Sequence, residues 1–282
     1  MSNLVSTANL VSTEWLAAHL ADVRLVDASW YMPAEKRNPA AEFEAGHIPG
    51  AVFFDIDAIA DHTSDLPHML PSAHDFSAAA GKLGIGNDDM VVGYDGSGIF
   101  SAPRLWWTLK AMGHNNVKVL DGGFPKWKRE GRPVETGPAR QHVKSFHAAF
   151  KPEIVRDFDA VMGIVKDKSA KMVDARSASR FTGEEKEPRA GVRSGHMPGA
   201  ANVHFRSLIT ADGTFKHRDE LRAAFEKAGV DLNKPIVTTC GSGLTAAILM
   251  LALDEISAGD VALYDGSWTE WGARAEAPVE TG

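Results

Sequence analysis

Short apolar runs and longer amphipathic ones take turns along this chain. From Thr13 to Leu20 the apolar residues are spaced as on a helix, with Ser12 or Thr13 as its cap, and Arg24 to Ala28 reads as a short strand. A second helix fits Asp75 to Leu83. Met90 to Tyr94 has the continuous apolar character of a buried strand, and Ala102 to Met112 is a helix. Val117 to Leu120 is another strand, closed by the turn Asp121-Gly122-Gly123. Strands alternating with helices predict an α/β fold, a mainly parallel central sheet flanked by helices.

The same order then starts again. Lys171-Met172-Val173-Asp174-Ala175 answers Arg24 to Ala28, and Gly195-His196-Met197-Pro198-Gly199-Ala200 answers Gly46 to Ala51. Val237 to Gly243 answers Val92 to Gly98. Tyr264-Asp265-Gly266-Ser267-Trp268 with Trp271 answers Leu120 to Phe124 with Trp127, and Pro133-Val134-Glu135 recurs as Pro278-Val279-Glu280. A repeat this long is a duplicated domain rather than a solenoid unit. We expect one α/β domain over 1–140 and a second over 155–282, joined through the polar stretch from Thr136 to Asp157.

The duplication works as an internal control on chemistry. In the second copy, Thr238-Thr239-Cys240-Gly241-Ser242-Gly243-Leu244-Thr245 lies between an apolar strand and a long apolar helix, Ala246 to Leu253. A strand that turns through glycines into a helix aims backbone N–H groups at one point, and a thiolate can occupy it. Thr245 suits the cap or first turn of that helix. Taken alone, a single intracellular cysteine is equally compatible with a buried packing role. The first copy has Asp95 where the second has Cys240, so only one of two similar loops carries a nucleophile. The stretch from Arg176 to Arg193 adds Arg180, Arg189 and Arg193, and planar guanidinium groups suit a carboxylate substrate.

Composition narrows the partners. The chain has 282 residues, 44% of them hydrophobic, a formal charge of −7 and one cysteine. No long basic run offers a nucleic-acid surface, no apolar run reaches membrane-spanning length, and no cysteine cluster or intramolecular disulfide is possible. The opening Met1 to Val5 lacks the features of a signal peptide, which leads us to expect a cytoplasmic protein. His47 and His196 recur in both copies within Gly-His-x-Pro-Gly and are expected to serve a shared turn. Trp106, Trp107, Trp127, Trp268 and Trp271 are expected to pack.

Several segments together carry a resemblance that spans nearly the whole chain. They are Gly46 to Asp57 (GHIPGAVFFDID), Pro67 to Pro71 (PHMLP), Ser101 to Trp107 (SAPRLWW) and Asp121-Gly122-Gly123. Glu187-Pro188-Arg189, Gly195 to Ala200, Cys240 to Thr245 (CGSGLT) and Tyr264 to Trp271 (YDGSWTEW) complete them. On these the chain resembles the two-domain sulfurtransferases of the rhodanese superfamily. The resemblance implies tandem rhodanese-like domains, the first non-catalytic, with Cys240 as a nucleophile that carries a persulfide. Thiosulfate-using members typically have basic residues just after the cysteine; Gly241, Ser242 and Gly243 are uncharged, which implies 3-mercaptopyruvate as the small-molecule donor.

By the same resemblance Arg180 and Arg189 hold the donor's carboxylate and keto oxygens, and Gly241, Gly243, Leu244 and Thr245 line its site. Ser242 handles protons with His68 and Asp57, for which His62 and Asp61 compete. Thioredoxin, a small thiol or cyanide accepts the sulfur, with no metal and no organic cofactor. A thiosulfate:cyanide sulfurtransferase and a non-catalytic sulfur carrier or partner-docking module are the alternatives. A phosphatase of related fold needs Cys-x5-Arg, and here Ala246 stands six residues after Cys240.

Overall fold

The computed structural model describes residues 9–140 and 142–282, so the opening Met1 to Val5 lies outside the described residues. The chain divides into two units. The first takes the chain up to Asp61, Leu70–Lys151 and the short piece Ile209–Phe215; the second takes His62–Met69, Pro152–Leu208 and Lys216–Gly282.

In the first unit the chain runs through β1 (Leu10–Val11), α1 (Thr13–Ala18), β2 (Arg24–Asp27), α2 (Pro39–Ala45) and β3 (Val52–Phe53). It continues through α3 (Ala73–Lys82), β4 (Val91–Tyr94), α4 (Ala102–Ala111), β5 (Val117–Leu120) and α5 (Gly123–Arg129). The sheet is parallel throughout, in the order β1-β5-β4-β2-β3. The second unit repeats it with β6 (Val155–Arg156), α6 (Phe158–Asp167), β7 (Lys171–Asp174), α7 (Ala178–Thr182), β8 (Ala201–Asn202) and α8 (Arg218–Lys227). It closes with β9 (Ile236–Thr239), α9 (Ala246–Glu255), β10 (Val261–Tyr264) and α10 (Ser267–Trp271), in the sheet order β6-β10-β9-β7-β8.

Local sequence explains most of these bounds. Ser12 caps α1 by accepting from the Trp15 N–H, and Ser72 and Asp157 cap α3 and α6 in the same way. All residues of α9 except Asp254 are buried, as are all of α4 except Lys110, because sequences such as Ala-Ala-Ile-Leu-Met-Leu-Ala-Leu are apolar on every side. Both helices follow the central strand of their sheet. Open parallel sheets place ligands outside the carboxyl ends of such strands, where the strand order reverses.

The recurring motifs close each unit on itself. His47 pairs with Glu135 in an isolated antiparallel bridge, as His196 does with Glu280. Each histidine also donates from Nδ1 to a carbonyl, Phe43 or Phe181, and stacks on the ring of that phenylalanine. Glu135 accepts from the Gly50 N–H and Glu280 from the Gly199 N–H, which accounts for the repeated Pro-Val-Glu. The tryptophans pack: Trp106, Trp107, Trp127, Trp268 and Trp271 are all buried.

The polar stretch expected as a linker behaves differently up to Lys151, where it is laid along the first unit. Lys144 N donates to the Gly81 carbonyl at 3.0 Å, Ala149 N to Met112 at 2.9 Å and Lys151 N to Ala111 at 2.7 Å. Phe146 is buried edge-on against Phe76. Backbone pairing holds this segment, which its polar composition does not reveal.

Candidate active site

Cys240 directly follows β9, and α9 begins six residues after it. The thiol is buried, at 2% exposure. Gly243 has φ +76°, a left-handed conformation that favours glycine. Gly241 is small for another reason: a methyl group built on it would stand 3.2 Å from Arg180 Nη2. Thr245 takes the cap position of α9, with no side-chain capping bond.

The back of the loop is tied to the turn before α10. Trp268 N donates to the Cys240 carbonyl, and Thr269 donates to the Gly241 carbonyl from both N and Oγ1. Ser267 Oγ accepts from Cys240 N at 3.2 Å and donates to the Tyr264 carbonyl at 2.8 Å. Ser267 is fully buried with φ +50°, and its counterpart in the first unit is Gly123 with φ +54°. A non-glycine residue in that region is strained.

The first unit shows what such a loop does with an anion. Asp95 Oδ2 accepts from the N–H groups of Phe100, Ser101 and Ala102 at 2.8–2.9 Å, and Oδ1 accepts from Ser97 N at 2.9 Å. The donors on Oδ2 lie at the head of α4, where the helix dipole also favours negative charge, and Ser97 belongs to the loop before it. Tyr31 Oη fills the space next to Gly96 that Arg180 fills next to Gly241.

Around Cys240 a line of buried charges runs outward. Asp174, at the end of β7, receives a bidentate bond from Arg176 through Nε and Nη2, and Arg176 stacks on Trp268. Arg176 Nη1 donates to Glu187 Oε1 at 2.7 Å. Glu187 also holds Arg180, through Nε at 3.2 Å and a close contact from Nη2. Burial opposes the charge on Arg176, but Asp174 and Glu187 outweigh it and keep its pKa above the usual value. Arg189 is pushed the other way, first by burial and then by the Arg180 guanidinium, while Cys240 and Glu187 pull it back up. Cys240, Arg180, Arg189 and Glu187 therefore share one electrostatic neighbourhood.

The other expected residues are placed as follows. Ser242 and Leu244 are buried in the loop. His68 belongs to the second unit, is buried, and has φ +62°, again strained for a non-glycine residue. His62 is in the second unit and Asp61 in the first. Asp57 belongs to the first unit, where its carboxylate accepts from Trp30 Nε1 at 2.9 Å. Arg193 serves structure: it donates to the carbonyls of Gly272, Trp271, Arg274 and Ala277. Among the described residues no group of three or more His, Cys, Asp or Glu side chains could hold a metal ion, and no helix is long and apolar enough to cross a membrane.

Sequence reasoning assigned no role to Arg176, Glu187, Ser267 or Thr269. One signal was available. Asp27-Ala28-Ser29 and Asp174-Ala175-Arg176 are aligned copies, and the change from Ser to Arg marks the copy that holds the cysteine.

Two parallel α/β units, each with a loop between its central strand and a buried helix, define a class. Residues 12–130 and 158–274 each match the Rhodanese-like domain, and the chain belongs to the rhodanese family. Its relatives point further. It is 46% identical to the 3-mercaptopyruvate sulfurtransferase of Escherichia coli (strain K12), over 98% of this chain and 99% of that one. The Homo sapiens protein of the same name is 42% identical, over 94% of this chain and 92% of that one. The crystal structure of SseA from Escherichia coli, a 3-mercaptopyruvate sulfotransferase by its description, superposes with a TM-score of 0.85 at 43% identity, over 93% of this chain and 99% of that one.

Proposed function

We propose that this protein is a sulfurtransferase that moves sulfur from 3-mercaptopyruvate, through a persulfide on Cys240, to a thiol acceptor or cyanide, and releases pyruvate. The observation that carries the reading is the buried thiol at the head of α9, beside Arg180 and within the field of Arg189. The uncharged Gly241, Ser242 and Gly243 favour this donor over thiosulfate.

The Cys240 thiolate attacks the donor sulfur. The S–S bond forms as the C3–S bond breaks, and the electron pair passes to the pyruvate enolate. Arg180 and Arg189 hold the carboxylate and offset charge growing on the enolate oxygen. The proton that began on the donor thiol ends on C3, a transfer we assign to Ser242 with His68 and Asp57. Gly241, Gly243, Leu244 and Thr245 wall the donor site. An acceptor thiolate, from thioredoxin or a small thiol, then takes the outer sulfur and restores Cys240. The loop of the first unit, with Asp95 where the second has Cys240, supplies no nucleophile. A cytoplasmic location belongs to the same reading.

Mass spectrometry tests the covalent step. After 3-mercaptopyruvate, one added sulfur is expected on the peptide that holds Cys240, and neither adduct nor turnover is expected in Cys240→Ser. Pyruvate release without an adduct would overturn the persulfide. A strong preference for thiosulfate would overturn the choice of donor.

A further inference from the structure

Arg180 is not a free guanidinium. Its Nε and Nη2 are engaged by Glu187, so the edge most often used for bidentate carboxylate recognition faces inward. The other edge, Nη1 with Nη2, faces Gly241. Glu187 therefore sets the plane of Arg180. Glu187 is itself fixed by Arg176, which is fixed by Asp174 and Trp268. The Arg176, Asp174 and Glu187 side chains are only 1–3% exposed, and that of Arg180 is 17% exposed.

The charges in this line cancel: Asp174 and Glu187 against Arg176 and Arg180. The neighbouring cation that remains is Arg189, half-buried and coupled to both Arg180 and Cys240. Apart from the attacking Cys240 thiolate, these five side chains thus offer a donor a surplus of one positive charge. At neutral pH 3-mercaptopyruvate carries one negative charge and thiosulfate carries two. We propose that Glu187 is a specificity-determining residue: by neutralising and orienting Arg180 it limits the site to a singly charged donor and disfavours a dianion. The inference rests on the donor reading above and adds a cause beyond the uncharged loop.

Both donors are assayed with wild type, Glu187→Gln and Glu187→Asp. Removing one buried negative charge leaves a surplus of two positive charges. The ratio of kcat/KM for thiosulfate to that for 3-mercaptopyruvate is then expected to rise by about tenfold or more in Glu187→Gln, since buried charge is weakly screened. Glu187→Asp keeps the charge, and its ratio should stay within about twofold of wild type by the same argument. A residue that only supported the fold would lower both donors together, so an unchanged ratio in Glu187→Gln overturns the proposal. If that variant does not fold, Glu187→Gln with Arg176→Gln removes one charge of each sign. Its ratio should match wild type, and a rise overturns the proposal. A wild-type enzyme that fails to use 3-mercaptopyruvate sinks the donor reading instead.

Discussion

Ser267 keeps a hydroxyl where the first unit has glycine, at the cost of a left-handed backbone. That hydroxyl accepts the Cys240 N–H in a fully buried place. In Ser267→Ala the amide loses its partner and the strain remains, so a loss of about 1–3 kcal/mol is expected in denaturant unfolding. Ser267→Gly loses the same partner but relieves the strain, and should be the more stable of the two. Turnover should fall in both, because the loop that carries Cys240 is no longer held. Equal stability of the two variants would show that the strain is unimportant.

Asp27 offers a pH test. Burial pushes its carboxyl up to about 6, against the lowering effect of the Ser29 and Tyr94 hydrogen bonds, whereas its counterpart Asp174 is paired with Arg176. The native state therefore holds a proton that the unfolded chain releases near 3.8. The sign follows: the stabilisation is whole below about pH 4 and is lost as pH rises to about 6, a change of roughly 3 kcal/mol. Asp27→Asn removes this dependence, so its stability relative to wild type should grow between pH 4 and 7 in unfolding curves. A constant difference across that range would contradict the burial argument.

The central strands and the helices that follow them were legible because each rests on a local signal, whereas elements such as α2 and α8 were not read. Apolar runs gave Val117 to Leu120 to the residue, and Ser12 marked the start of α1. The loop between β9 and α9 was legible because two glycines closely follow a lone cysteine. Glu187 was not legible, because its partners Arg176 and Arg180 are set by the turn between β7 and α7, and sequence spacing does not say which charges meet indoors. The segment up to Lys151 was misread for a related reason. Its hold on the first unit is a set of backbone bonds, and Phe146 is a single apolar residue in a polar stretch. Arg193 read as one more basic residue of the site until four carbonyls were found around it.

At the scale of the whole molecule, the halves of the sequence and the units of the structure are not the same partition. The second unit includes His62–Met69, with His68 among them. A fragment that begins at Pro152 contains Cys240, Arg180 and Arg189 but lacks that segment. It is expected to melt at a lower temperature than the full chain and to lose turnover, as circular dichroism and a pyruvate assay would show. Full activity in the fragment would mean that His68 takes no part in the chemistry.

The carboxylate of Asp95 already occupies the four N–H donors of the first loop. With one cysteine in the sequence, the persulfide proposed above sets a loading stoichiometry of one sulfane atom per chain, whatever the donor concentration. A preparation with half an equivalent bound is therefore half-charged as a population of chains, each either empty or full. A rate curve sigmoid in the donor cannot come from two cysteine loading sites talking to each other within one chain.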